Sequence, residues 1–166
     1  MREGGMGGEL DADRITVLED MEKIKKLKAL YCYLADEGIA GDPSKMDELI
    51  SHCTEDVHAD FGELGIHAGK EAVRKFYKEV APSLLSYSAH MVSNPIIEVE
   101  GDRAKGRWYV FVPCTLRATG SPAWLQAKYE EEYVKVSGEW MWKTIIARFD
   151  FFTPYGDGWG KTRMIG

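Results

Sequence analysis

From Ile15 to Asp36 the apolar residues Val17, Met21, Ile24, Leu27, Tyr31 and Leu34 recur at steps of three and four, while "EDMEKIKK" supplies polar positions between them. That period predicts an amphipathic helix with one buried stripe, stopped at Gly38. A second, shorter helix is predicted in "GDPSKMDELISHC", with Asp42 as cap, Pro43 in the first turn and Met46, Leu49, Ile50 and Cys53 facing inward. A third runs through "GKEAVRKFYKEVAP", with Ala72, Val73, Phe76, Tyr77 and Val80 as its stripe and Pro82 at its end.

Between the second and third helices, "DVHADFGELGIHAG" alternates loosely and reads as a strand or short hairpin. From Ser86 onward the period shortens to two, predicting strands at about 87–100, 103–118, 123–136 and 139–152. The turns "EGD", "TGSP" and "SGE" separate them. Helices followed by such a meander make an α+β domain, with three N-terminal helices packed on a highly curved antiparallel sheet. If the sheet curls around the first helix it forms a cone whose mouth is a natural ligand site. The expected organisation is a flexible leader over residues 1–12 and one domain over 13–166.

Composition narrows the partners. A chain of 166 residues with net charge −6 and scattered Lys and Arg lacks the basic footprint of a nucleic-acid binder. No apolar run is long enough to span a membrane. Cys32, Cys53 and Cys114 are odd in number and without CxxC spacing, as in a cytoplasmic protein with reduced, buried thiols. The aromatics, concentrated between Tyr87 and Trp159, fill a core first and leave room for a pocket that takes a flat ligand. An aromatic outer sheet face also predicts oligomerisation.

Two acids, Asp36 and Glu37, precede Gly38, where the helix macrodipole disfavours negative charge. Among the histidines His52, His58, His67 and His90, none forms a metal-ligand pair such as HxH; His58, His67 and Asp60 are near in sequence, but no metal or other cofactor is expected. His90 stands out because it interrupts an apolar strand, on one face with Val92. A buried imidazole needs a partner, and a carboxylate from the end of the first helix would fix its tautomer and stabilise the imidazolium. A core histidine with no chemistry is the competing reading. Tyr31, on the helix stripe, could donate to a developing oxyanion. Tyr33, on the other face, is weaker; Tyr109 and Tyr129 belong to central strands; Trp108 and Arg107 suit a rim. Arg148 and Asp150 share a face and could pair with each other.

In "IKKLKALYCYLADE", "SAHMVSNPIIEVEGDRAKGRWYV" and "FFTPYGDGW" the chain resembles the SnoaL-like group of the nuclear-transport-factor-2-like superfamily, over roughly residues 13–160. That superfamily includes scytalone dehydratase, Δ5-steroid isomerase, bile acid 7α-dehydratase and hexachlorocyclohexane dehydrochlorinase. The resemblance implies a cone-shaped α+β barrel, a trimer or dimer, and a catalytic pair Asp36–His90 assisted by Tyr31. It implies a cofactor-independent lyase, dehydratase-like or cleaving C–C in a retro-aldol manner, acting on a hydrophobic aromatic or polycyclic substrate. Tyr33, Trp108, Tyr109, Tyr129 and Arg148 would line its binding site. Val112 stands where the bile acid branch carries a further carboxylate, so that branch's substrate is not implied. A ketosteroid-type isomerase and a non-catalytic binding protein or oxygenase accessory subunit are the alternatives.

Overall fold

The computed structural model describes residues 6–165. Of the expected leader, residues 1–5 lie outside the described residues. Helix α1 runs Met6–Ala40, well beyond the predicted stretch at both ends. It passes through Gly38 and stops at Gly41, whose φ of +124° suits a residue without Cβ. There the Gly41 and Asp42 amides close back on the carbonyls of Gly38 and Glu37 in a Schellman arrangement.

Gly38 is a glycine for a different reason. A Cβ there would meet the Met46 side chain at 2.6–2.7 Å, so the missing side chain lets α2, Pro43–Ser51, press against α1. Asp42 caps α2 through the Ser44 amide, with Pro43 in the first turn, as its sequence predicts. Gly38→Ala should gain up to about 1 kcal/mol of helix propensity and lose about 1–3 kcal/mol to overpacking against fully buried Met46. The expected net is a loss of about 1 kcal/mol, read as a Tm lower by roughly 2–4 °C.

Strands β1 (Cys53–Asp60) and β2 (Ile66–Ala68) form the expected hairpin around a short 3₁₀ turn. The third helical region is segmented into α3 (Lys70–Lys75), a π-turn stretch (Phe76–Val80) and α4 (Ala81–Leu84). Pro82 does not end it. The Ala81 amide reaches back to the Phe76 carbonyl, a wider turn that admits a residue with no N–H of its own.

The remaining strands are β3 (Leu85–Ser88), β4 (Met91–Glu100), β5 (Arg103–Leu116), β6 (Pro122–Val136) and β7 (Glu139–Pro154), followed by a short α5 (Gly158–Lys161). The sheet order is β2-β1-β7-β6-β5-β3, with β4 also on β5. All pairings are antiparallel except β1 with β7, which is parallel, so the sheet is mixed rather than a pure antiparallel meander. The predicted strand at 87–100 is broken at Ala89–His90, where the chain moves from β3 to β4 along one edge of β5. The helices close the concave side of this curled sheet, giving the cone-shaped α+β barrel. No described helix is long and apolar enough to cross a membrane.

Strict alternation sorts the sheet. On β5, Ala104, Trp108, Val110, Val112 and Cys114 face the interior, while Arg103, Lys105, Arg107 and Tyr109 face out. Cys32, Cys53 and Cys114 are free and buried. Burial pushes the Cys32 and Cys114 thiols up to about 11 and that of Cys53 to about 12, from an ordinary 9.0. The unfolded chain therefore loses these protons first. Stability is full below pH 9 and declines above it, by about 1.4 kcal/mol per pH unit for each thiol. Denaturant midpoints measured from pH 8 to 10.5 should fall accordingly, and the native thiols should resist alkylation at pH 8.

Candidate active site

Asp36 lies a full turn inside α1, not in its last turn, and the dipole penalty falls off over that distance. Glu37, the more terminal acid, is half exposed and faces Lys45 at 3.6 Å. Asp36 instead turns toward the gap between β3 and β4. Its Oδ1 accepts hydrogen bonds from Ser88 Oγ (2.6 Å) and His90 Nδ1 (2.6 Å), and its Oδ2 accepts one from the His90 amide (2.9 Å). The His90 side chain is 12% exposed. The strand break explains the fit: leaving the ladder frees the His90 amide for the carboxylate, while the Ala89 amide bonds to the Pro113 carbonyl. His90 therefore does not share a regular strand face with Val92.

With Nδ1 committed to Asp36, Nε2 has no hydrogen-bond partner among the described residues. His90 borders a cavity at the mouth of the cone together with Tyr31, Tyr77, Tyr129 and a wall of apolar side chains. Small residues make the space: Ala35 on α1, Ala127 on β6 and Ala147 on β7 face it, with Val110 paired to Ala127 and Tyr129 to Ala147. About 80 Å³ is open inside. An apolar cavity of about 150 Å³ is known to take benzene, so a one-ring ligand requires the wall to yield.

Phe76, Ala81, Leu84 and Leu85 come from the π-turn stretch, α4 and the start of β3. Arg117 holds that segment from outside, donating from Nε to the Pro82 carbonyl (2.5 Å) and from Nη2 to the Leu85 carbonyl (3.2 Å). Arg117→Ala should raise the association rate of any cavity ligand several-fold, as measured by stopped-flow fluorescence.

The floor of the cavity is a cluster of three phenols. Tyr77 donates to the Tyr31 hydroxyl at 3.3 Å, and the Tyr31 and Tyr129 hydroxyls lie 3.2 Å apart. Burial, reinforced by the neighbouring phenols, holds all three well above the usual tyrosine range, so they remain neutral. The rings of Tyr31 and His90 meet edge to face, 6.0 Å between centroids.

Of the residues expected from sequence, Asp36, His90, Tyr31 and Tyr129 come together. Four do not. Tyr33 is 70% exposed, because two residues along a helix is more than half a turn from Tyr31. Tyr109 neighbours Trp108 on a strand and so points outward, where Lys128 sits over its ring. Trp108 is inside, but toward the closed end, with its Nε1 donating to the Tyr133 hydroxyl (3.3 Å). Arg148 points outward and pairs with Asp60 (2.9 Å) rather than Asp150, which pairs with Lys128. Sequence reasoning missed Ser88 and the role of Tyr77. Ser88 lies two positions before His90, a spacing that could have flagged it; Tyr77 reads only as a stripe residue. Among the described residues no three His, Cys, Asp or Glu side chains gather as a metal site.

A helix-filled, curled sheet with this polar pair at its mouth defines a class. The model of the SnoaL-like domain matches residues 16–145, and the chain belongs to that family. Its fold is similar to that of a candidate scytalone dehydratase from Novosphingobium aromaticivorans, with TM-score 0.76, 24% identity, and coverage of 86% of this chain and 91% of that one. Hexachlorocyclohexane dehydrochlorinase LinA-type3 from Novosphingobium barchaimii gives TM-score 0.74, 22% identity, and coverage of 87% and 93%. Among curated proteins, none is significantly similar in sequence.

Proposed function

We propose that the protein is a cofactor-independent lyase that removes a proton from a hydrophobic, aromatic small molecule and expels a leaving group, by dehydratase-like elimination or retro-aldol-type cleavage. One observation carries this reading: His90 is anchored through Nδ1 by Asp36 and leaves Nε2 free at a cavity walled by apolar side chains over a floor of tyrosines. In that geometry Nε2 takes the proton. Asp36 holds the tautomer and stabilises the imidazolium, and Ser88 and the His90 amide hold Asp36. Tyr31 and Tyr129 receive the oxygen of the substrate or leaving group. The names of the two similar structures, a dehydratase and a dehydrochlorinase, support elimination as the reaction class. The same base could run an isomerisation.

The second reading is a binding protein or oxygenase accessory subunit in which the pair is only structural; the narrow cavity and low exposure of His90 favour it. Screening aromatic and alicyclic carbon acids in D₂O for enzyme-dependent C–H exchange, with His90→Ala as control, separates the two. Exchange that survives in His90→Ala removes the base; binding without exchange supports the second reading.

The outer sheet face carries stacked Phe111–Trp124 and Phe151–Trp159 pairs, and Tyr155 and Trp159 are more than half exposed. We assign this face to self-association as a trimer or dimer, to be checked by light scattering. The three buried free thiols suit a cytoplasmic location.

A further inference from the structure

Below the phenol cluster lies a charge pair that the proton-transfer scheme does not use. Lys28 of α1 and Glu131 of β6 are joined at 2.5 Å, Nζ to Oε1, and both side chains are fully buried. Lys28 Nζ sits 3.5 Å from the Tyr129 ring centroid and 4.2 Å from that of Tyr31. Glu131 also accepts from the Tyr133 hydroxyl, which in turn accepts from Trp108 Nε1. The pair is thus oriented, with its positive end against the rings that floor the cavity and its negative end tied into the closed end of the cone.

Two arguments give this arrangement a task. A buried ion pair is poor at stabilising a fold, since well-packed apolar residues of the same volume often do as well or better. The hydroxyls also leave a donor over: Tyr31, Tyr77 and Tyr129 hold three protons and make two bonds among themselves, so one O–H remains for a ligand. That O–H belongs to a ring polarised by the ammonium, in a site of low dielectric where such a field is felt strongly.

The geometry points to an oxyanion subsite formed by the Tyr31–Tyr77–Tyr129 hydroxyls and polarised from behind by Lys28, for a neutral ligand whose carbonyl or phenol oxygen gains negative charge. The inference rests on the reading of this cavity as the ligand site and narrows its substrate class. Lys28 acts through the tyrosine rings and is a positioning residue, not a catalytic one. Among the described residues, no Lys or Arg lines the cavity for direct contact, since Lys28 lies behind the rings with Glu131. The site therefore suits a carbonyl that becomes an enolate when His90 removes an adjacent proton, rather than a carboxylate or phosphate. The 6.0 Å between the His90 and Tyr31 rings lets one small molecule present its C–H to the first and its oxygen to the second.

The test needs no turnover. 4-Nitrophenol, whose anion absorbs at longer wavelength than its neutral form, is titrated with the protein at the pH where the free dye is half ionised; its proton is released to buffer. The wild type should favour the bound anion by about tenfold. Lys28→Met with Glu131→Leu, which keeps the volume apolar, should bring that preference to within twofold of unity while neutral phenol still binds. Retained binding of the neutral phenol, with a circular-dichroism spectrum like that of the wild type, guards against misfolding of the double variant. Binding as the neutral phenol by wild type, no binding at millimolar dye, or an unchanged preference in the folded double variant would each overturn the inference. His90→Ala should leave the preference in place; if it abolishes the preference, the anion rests on the imidazole and the subsite is wrong. C–H exchange surviving in His90→Ala, with the dye results intact, would instead remove the base and leave the subsite standing.

Discussion

Replacing His90 with alanine should lower the rate of proton abstraction by about 10²–10⁴-fold, the usual contribution of a positioned general base. The measurement is single-turnover exchange or elimination on a compound that the wild type converts. Alanine removes the only imidazole at the cavity among the described residues and opens space beside Asp36, whose carboxylate keeps Ser88 and the backbone amide as donors. The loss should therefore fall on kcat, with binding of neutral ligands little affected. Asp36→Asn tests the other half of the pair. An amide presents either a donor or an acceptor to Nδ1, so it no longer enforces one tautomer, and it cannot offset an imidazolium charge. Its rate should fall by a smaller but still large factor, about 10²-fold on the scale of the base itself. Ser88→Ala removes one of three hydrogen bonds to that carboxylate and should cost the least.

The parts of this site that follow a short period were legible in the chain. Strand alternation located β5, β6 and β7 almost to the residue, because one face of each is buried and a slip of one position would expose the whole apolar set. The same alternation, applied more strictly, would have separated Tyr109 from Trp108. Asp36 and His90 lie 54 residues apart, and no local rule links them. The need of a buried imidazole for a partner pointed to an acid at the helix end, and the SnoaL-like resemblance singled out Asp36. The helix end misled for a definite reason: Gly38 reads as a stop signal, but it is a packing contact with Met46, and such contacts are invisible until α2 is placed. Pro82 misled in the same way, since a π-turn absorbs a proline that would break a regular α-helix. Lys28 drew no reading, since nothing local distinguishes it from the neighbouring lysines of α1; its burial depends on Glu131 arriving from β6, more than a hundred residues later.

That distant partnership makes Lys28→Met the variant with the largest expected effect on stability. It leaves Glu131 with no cationic partner among the described residues, and breaking a buried pair from one side typically costs about 3–5 kcal/mol. Against the roughly 5–15 kcal/mol that holds a typical domain together, such a loss would leave the fold marginal. The Tyr133 hydroxyl still donates to Glu131, but a neutral donor does not replace an ammonium at 2.5 Å. Adding Glu131→Leu should recover most of the loss, because the remaining penalty is for an unpaired charge and not for a missing contact. Urea unfolding of both single variants and the double variant reads this directly, and the coupling should exceed about 2 kcal/mol. Additive losses would mean that each side chain stabilises the core independently, through packing. Strong coupling with a stable double variant would mean that the pair contributes little to folding as a unit, and that its orientation toward Tyr31 and Tyr129 is the reason to look for it in ligand binding.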